Sequence, residues 1–108
     1  MTTKYILIFI TASSVQEAEM LATALVKKKL AACGNILPDL RSVFWWQGNL
    51  ENEQEALLIL KSRFALLSDI IRVVKSLHSY DEPEIIAIPI LAGSESYLAW
   101  IEQETQTS

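Results

Sequence analysis

The sequence predicts an α+β chain of the ferredoxin-like kind: a split β-α-β-β-α-β order, a long β-hairpin and a short C-terminal helix. Three observations carry this. Short apolar runs with no polar side, such as Tyr5-Ile6-Leu7-Ile8-Phe9-Ile10 and Ala56-Leu57-Leu58-Ile59-Leu60, read as buried strands. Two longer segments repeat apolar residues at helical spacing. A turn-forming Gly48-Asn49 pair separates two extended stretches.

The first strand covers residues 5–10. Ser14-Val15-Gln16-Glu17 has the pattern of a helix capping box. Ala18, Leu21, Ala22, Leu25, Val26 and Leu30 then form one apolar stripe. The helix is expected to stop near Leu30, with Gly34 just beyond. Lys27-Lys28-Lys29 falls in its last turn, where cations complement the helix dipole.

Residues 32–46 form the second extended region, with a bulge or kink expected at Pro38-Asp39. Beyond Leu40 the side chains alternate, placing Trp45 and Trp46 on opposite faces. The chain turns at Gly48-Asn49 and returns as a third strand over 54–61. This hairpin is longer than the domain needs, so its tip is expected to project and pair with a neighbour by edge addition. Phe64, Leu67, Ile70, Ile71, Val74 and Leu77 define a second helix, which Pro83 cannot continue. Ile85-Ile86-Ala87-Ile88 is the fourth strand, closed by Pro89. Tyr97, Leu98 and Ile101 face one side of a closing helix, and residues 103–108 are polar and expected to fray. One domain accounts for residues 1–108, with a core over about 4–102.

Right-handed crossovers put both main helices on one sheet face. The other face is expected to be bare, and the strands make it apolar as well. With 51% hydrophobic residues, that surplus predicts self-association. The net charge of −4 argues against a nucleic-acid surface, and Glu51, Glu53 and Glu55 lie near the hairpin tryptophans. No run reaches the ~18 apolar residues that suggest a membrane span. The Met1-Thr2-Thr3-Lys4 start does not read as a secretory leader, and the single Cys33 suits a reducing compartment, so the expected location is cytoplasmic.

Chemistry-bearing residues are few. His78 is the only histidine, and it reads either as a metal or small-ligand residue or as a cap on the second helix. Cys33 reads first as core packing, second as a soft ligand. Asp81, Glu82 and Glu84 add carboxylates beside Tyr80 in the loop before the fourth strand. No nucleophile elbow, paired-cysteine motif or glycine-rich phosphate loop is present, so neither an enzyme nor a nucleotide cofactor is indicated. The three glycines read as turn or breaker positions.

Several motifs together resemble the CutA family. Leu30-Ala31-Ala32-Cys33-Gly34-Asn35-Ile36, Ser42-Val43-Phe44-Trp45-Trp46-Gln47-Gly48, Glu55 through Lys61, His78-Ser79-Tyr80-Asp81-Glu82-Pro83-Glu84-Ile85-Ile86 and Tyr97-Leu98-Ala99-Trp100-Ile101 fall in that family's order and spacing. The resemblance implies a homotrimer of ferredoxin-like subunits, similar to the PII signalling proteins, with tolerance of divalent cations and binding of copper. It implies that Cys33, Lys61, His78, Tyr80 and Glu84 gather in a cleft near a subunit boundary, with Trp46 nearby. The expected metal ligands are His78, Cys33 and Glu84, with Asp81 and Glu82 as further cleft candidates. The alternative is a PII-like regulator or scaffold whose clefts take a small molecule or a protein partner. Gly34 stands where valine is usual and Ser79 where proline is usual. Ser79 is expected to loosen its loop, because proline restricts the unfolded chain.

Overall fold

Local sequence dictates where each element starts and stops in the computed structural model, which describes residues 4–106. The readings placed on residues 1–3 and 107–108 lie outside these. Strand β1 (Tyr5–Ala12) runs into helix α1 (Val15–Lys27). The Ser14 hydroxyl accepts the Glu17 backbone N–H at 3.1 Å, as the capping pattern predicts. The reciprocal bond lands one residue early, from the Ser13 N–H to Glu17 Oε1 at 2.9 Å. Helix α1 stops before Leu30 because Lys29 takes the left-handed conformation at φ 58°. Gly34 is therefore no breaker. It sits inside strand β2 (Cys33–Trp46), where a Cβ would come within 3.0 Å of the Ala22 Cβ. Its missing side chain lets α1 lie close against the sheet.

Strand β2 bulges between Leu37 and Leu40, with Asp39 at φ 61°. The hairpin turn is Gln47-Gly48, one residue earlier than expected. Both residues have positive φ (50° and 82°), and Trp46 pairs with Asn49 across them. Strand β3 (Asn49–Arg63) returns, and a single 3₁₀ turn (Phe64–Leu66) leads into helix α2 (Leu67–Leu77). Strand β4 (Ile85–Pro89) and helix α3 (Glu95–Gln103) complete the described order.

The sheet order is β2-β3-β1-β4, all pairs antiparallel. Pro89 lies on edge strand β4, where a missing N–H is tolerated. Alternate residues Ile6, Ile8, Ile10, Ala56, Leu58 and Leu60 face a core shared with Leu21 and Leu25 of α1 and Ile70 and Val74 of α2. The opposite face carries Leu7, Phe9, Leu57 and Ile59 across the middle, with Ile86 and Ile88 exposed on β4. This second face is not wholly bare. Helix α3 covers one corner, with Tyr97 under the Lys61 ammonium at 5.7 Å and Glu102 accepting the Tyr5 hydroxyl at 3.2 Å.

The described C-terminal residues do not fray. Thr105 is 5% exposed, and buried Arg63 donates to its hydroxyl at 2.9 Å and to the Gln106 carbonyl. The Gln106 N–H in turn reaches the Lys29 carbonyl at 2.7 Å. These bonds knit the chain end to the end of α1.

Beyond Ala12, β1 no longer flanks β3, so the hairpin runs on as a two-stranded arm. The arm exposes Val43 (65%), Trp45 (72%) and Leu50 (61%). Neither tryptophan of the Trp45-Trp46 pair enters the core. Trp100 lies on α3, its ring centroid 5.4 Å from that of Tyr97.

Candidate acidic cleft

The arm and the loop before β4 enclose a cleft of about 730 Å³. One wall follows from the period-two geometry of the hairpin. Ser42, Phe44 and Trp46 on β2 share a face with their partners Glu53, Glu51 and Asn49 on β3, and Glu55 continues that row. The loop supplies Ser79, Tyr80, Asp81, Glu82 and Glu84 as the other wall. Among the described residues, six carboxylates thus line the cleft with three aromatic rings, and no lysine or arginine does. Among the described residues none of the six takes part in an ion pair.

A buried network fixes the loop. The Tyr80 hydroxyl donates to Glu55 Oε2 at 2.7 Å, and Glu55 is only 7% exposed. Burial first, and then this bond to a carboxylate, pushes the phenol well above its ordinary value. His78 packs beneath Tyr80 with its ring centroid 4.8 Å away and its side chain fully buried. Its Nε2 lies 2.7 Å from the Thr11 carbonyl, which can only accept, and its Nδ1 accepts the Tyr80 N–H at 3.0 Å. These partners make Nε2 the donor and Nδ1 the acceptor of the ring.

Glu17 clamps the same loop to the start of α1. Its carboxylate accepts from the Ser13 N–H and hydroxyl, both at 2.9 Å, from the Ser79 N–H at 2.7 Å and from the Ser79 hydroxyl at 3.0 Å. Burial acts to raise this carboxyl, but the four donors outweigh it and hold the group at about 2. Ser79 therefore tightens the loop rather than loosening it. A proline there would have no N–H to give.

The structure gathers only part of the expected site. Trp46, Tyr80, Asp81, Glu82 and Glu84 line the cleft. His78 lies under it with both ring nitrogens already engaged. Cys33 and Lys61 face each other across β2 and β3, four positions along β3 from the Leu57 that pairs with Thr11. At about 3.3 Å per residue that separation is roughly 13 Å. Cys33 is half-buried on the face away from α1 and α2, not packed in the core, and its Sγ approaches Asn35 Oδ1 at 3.7 Å. Lys61 bonds the same Asn35 oxygen at 2.8 Å. The set His78, Cys33 and Glu84 does not fit a copper centre within one chain. Among the described residues no three His, Cys, Asp or Glu side chains stand close enough to hold a metal ion. The sequence reading missed Glu51, Glu53, Glu55 and Phe44 as cleft residues. Their alternate spacing on two strands that pair across one turn was the available signal.

Comparison with known proteins agrees with the fold. The sequence profile of the CutA1 divalent ion tolerance protein matches residues 6–104. A rice relative, "Protein CutA 1, chloroplastic", is 40% identical over 99% of this chain, which spans 60% of that relative's length. The divalent-cation tolerance protein CutA of Archaeoglobus fulgidus is 44% identical over 92% of this chain and 96% of its own length. The crystal structure of CutA1 from rice superposes with a TM-score of 0.95 at 40% identity, covering 99% of this chain and 98% of that one. The chain belongs to the CutA1 divalent ion tolerance family.

Proposed function

We propose that this chain is a non-enzymatic, homotrimeric cation-binding protein of the divalent-cation tolerance kind, and that the cleft between arm and loop is where it takes cations. The observation that carries the reading is the set of six lining carboxylates with no ion-paired partner among the described residues. Glu53, Asp81, Glu82 and Glu84 are exposed, and the summed negative field of the cluster draws cations toward the cleft. Because no three of them converge, a dication here keeps much of its water and binds weakly. Copper, the metal the family resemblance puts first, would meet carboxylate oxygens here rather than His78 or Cys33.

Self-association is supported by exposed apolar surface. Ile86 and Ile88 on the second sheet face, and Val43, Trp45 and Leu50 on the arm, are left for a neighbouring copy to cover. Strands β2 and β4 are edges whose backbone groups suit strand addition. The single unpaired Cys33 fits a reducing, cytoplasmic setting.

Calorimetric titration with Mn(II) and with Cu(II) tests the cation reading, using the wild type beside a Glu53→Gln/Glu82→Gln variant and a His78→Ala variant. Saturable binding that weakens in the carboxylate variant, with His78→Ala retaining it, is expected. Binding lost only in His78→Ala would overturn the placement.

A further inference from the structure

The cleft that the proposed function assigns to cations has features a bare metal ion does not use. Phe44 and Trp46 lie on one strand face two residues apart, and Tyr80 enters from the opposite wall. Three rings in a cleft of about 730 Å³ are more apolar surface, and far more space, than a hydrated dication fills. The carboxylates are also distributed rather than focused. Glu51, Glu53 and Glu55 line up along the arm, and Asp81, Glu82 and Glu84 along the loop, with no chelating trio among the described residues. Two rows of negative charge with aromatic rings beside them complement a long ligand with several separated positive charges and an apolar backbone.

We infer that the cleft recognises a linear aliphatic polyamine, with its ammonium groups paired to carboxylates of both walls and its methylene segments laid against Phe44, Trp46 and Tyr80. The chemistry follows from each part. An ammonium ion over an aromatic face is drawn by the ring quadrupole, more strongly where water is reduced. Methylene runs between the charges bury apolar surface that a metal aqua ion does not have. Distributed carboxylates meet distributed charges without the sharp convergence that metal coordination demands. The Tyr80–Glu55 bond and the Glu17–Ser79 clamp hold the loop wall in place before the ligand arrives, which lowers the ordering cost of binding. The inference rests on the cation reading of this cleft and narrows it to one ligand class.

Spermidine, a linear triammonium, is the probe. Calorimetric titration of the full chain is done at constant ionic strength, with wild type, Trp46→Ala, Glu53→Gln and Trp100→Ala. Trp100 lies on α3 outside the cleft and controls for loss of an aromatic elsewhere. Thermal melts confirm that each variant is folded. Saturation near one spermidine per chain is expected, weakened at least tenfold by Trp46→Ala and severalfold by Glu53→Gln, and unchanged by Trp100→Ala. Equal binding by wild type and Trp46→Ala would mean that charge alone attracts the amine, and would overturn the inference. Mn(II) binding without spermidine binding would sink the polyamine assignment and leave the cation reading standing. Neither ligand binding would sink both. A tetralysine peptide displacing spermidine at equimolar concentration would reassign the cleft to basic peptides and overturn the assignment as well.

Discussion

Replacing Glu17 by glutamine removes one charge and keeps the side chain's shape, so it isolates the clamp between α1 and the loop wall. The carboxylate accepts four hydrogen bonds, from the N–H and hydroxyl of Ser13 and of Ser79. Glutamine offers one oxygen, and turns an NH₂ toward donors that have no use for it. Holding a carboxyl at about 2 instead of its ordinary 4.5 corresponds to about 3 kcal/mol at neutral pH before screening. Solvent at the loop surface screens part of this, leaving about 1–2 kcal/mol. The sign follows from linkage. The folded carboxyl is depressed, so its contribution is complete above the unfolded value near 4.5 and is lost as pH falls toward 2. Urea unfolding at fixed protein concentration, at pH 7 and pH 2.5, reads both effects. Glu17→Gln is expected to be less stable than wild type at pH 7 by about 1–2 kcal/mol, with the gap closing at pH 2.5. An equal gap at the two pH values, or none at pH 7, would refute the clamp.

Other positions give sharp expectations. Gly34→Val restores the residue usual in the family, but its side chain meets Ala22 on α1 and Leu58 and Leu60 on β3. Denaturant unfolding should show a loss of about 1–3 kcal/mol, and a companion Ala22→Gly should recover part of it. Arg63→Ala removes the buried donor to Thr105 and to the Gln106 carbonyl. It should cost about 2 kcal/mol and open the C-terminal segment to carboxypeptidase; resistance equal to wild type would contradict the tether.

Much of the fold was legible because its signals are local. The Ser14–Glu17 cap, the 3.6-residue stripe of α1, the Pro38-Asp39 bulge and the apolar runs of β1 and β3 each depend on residues close in sequence. The misreadings arose where a distant partner decides the outcome. Gly34 reads as a breaker until the Ala22 Cβ is seen above it. The hairpin turn shifts to Gln47-Gly48 because the pairing of Trp46 with Asn49 fixes the register. Thr105 reads as a polar tail residue until Arg63, far away in sequence, bonds it. Ser79 reads as a lost proline, yet its value lies in an N–H aimed at Glu17 on another element.

The cleft was half legible for the same reason. Tyr80, Asp81, Glu82 and Glu84 are neighbours in sequence, and their density in one loop was a visible signal. Glu51, Glu53 and Glu55 join them only because the arm outruns β1 and passes beside that loop. His78 attracted a ligand reading because it is the only histidine. Its hydrogen bonds to the Thr11 carbonyl and the Tyr80 N–H give it a structural task that no local pattern shows.

The most direct test of the central claim is a crystal of the wild-type chain soaked in Mn(II) and measured for anomalous scattering. The account predicts a peak inside the cleft, held by no more than two of its lining carboxylates. A peak at His78 or Cys33, with none in the cleft, would contradict it.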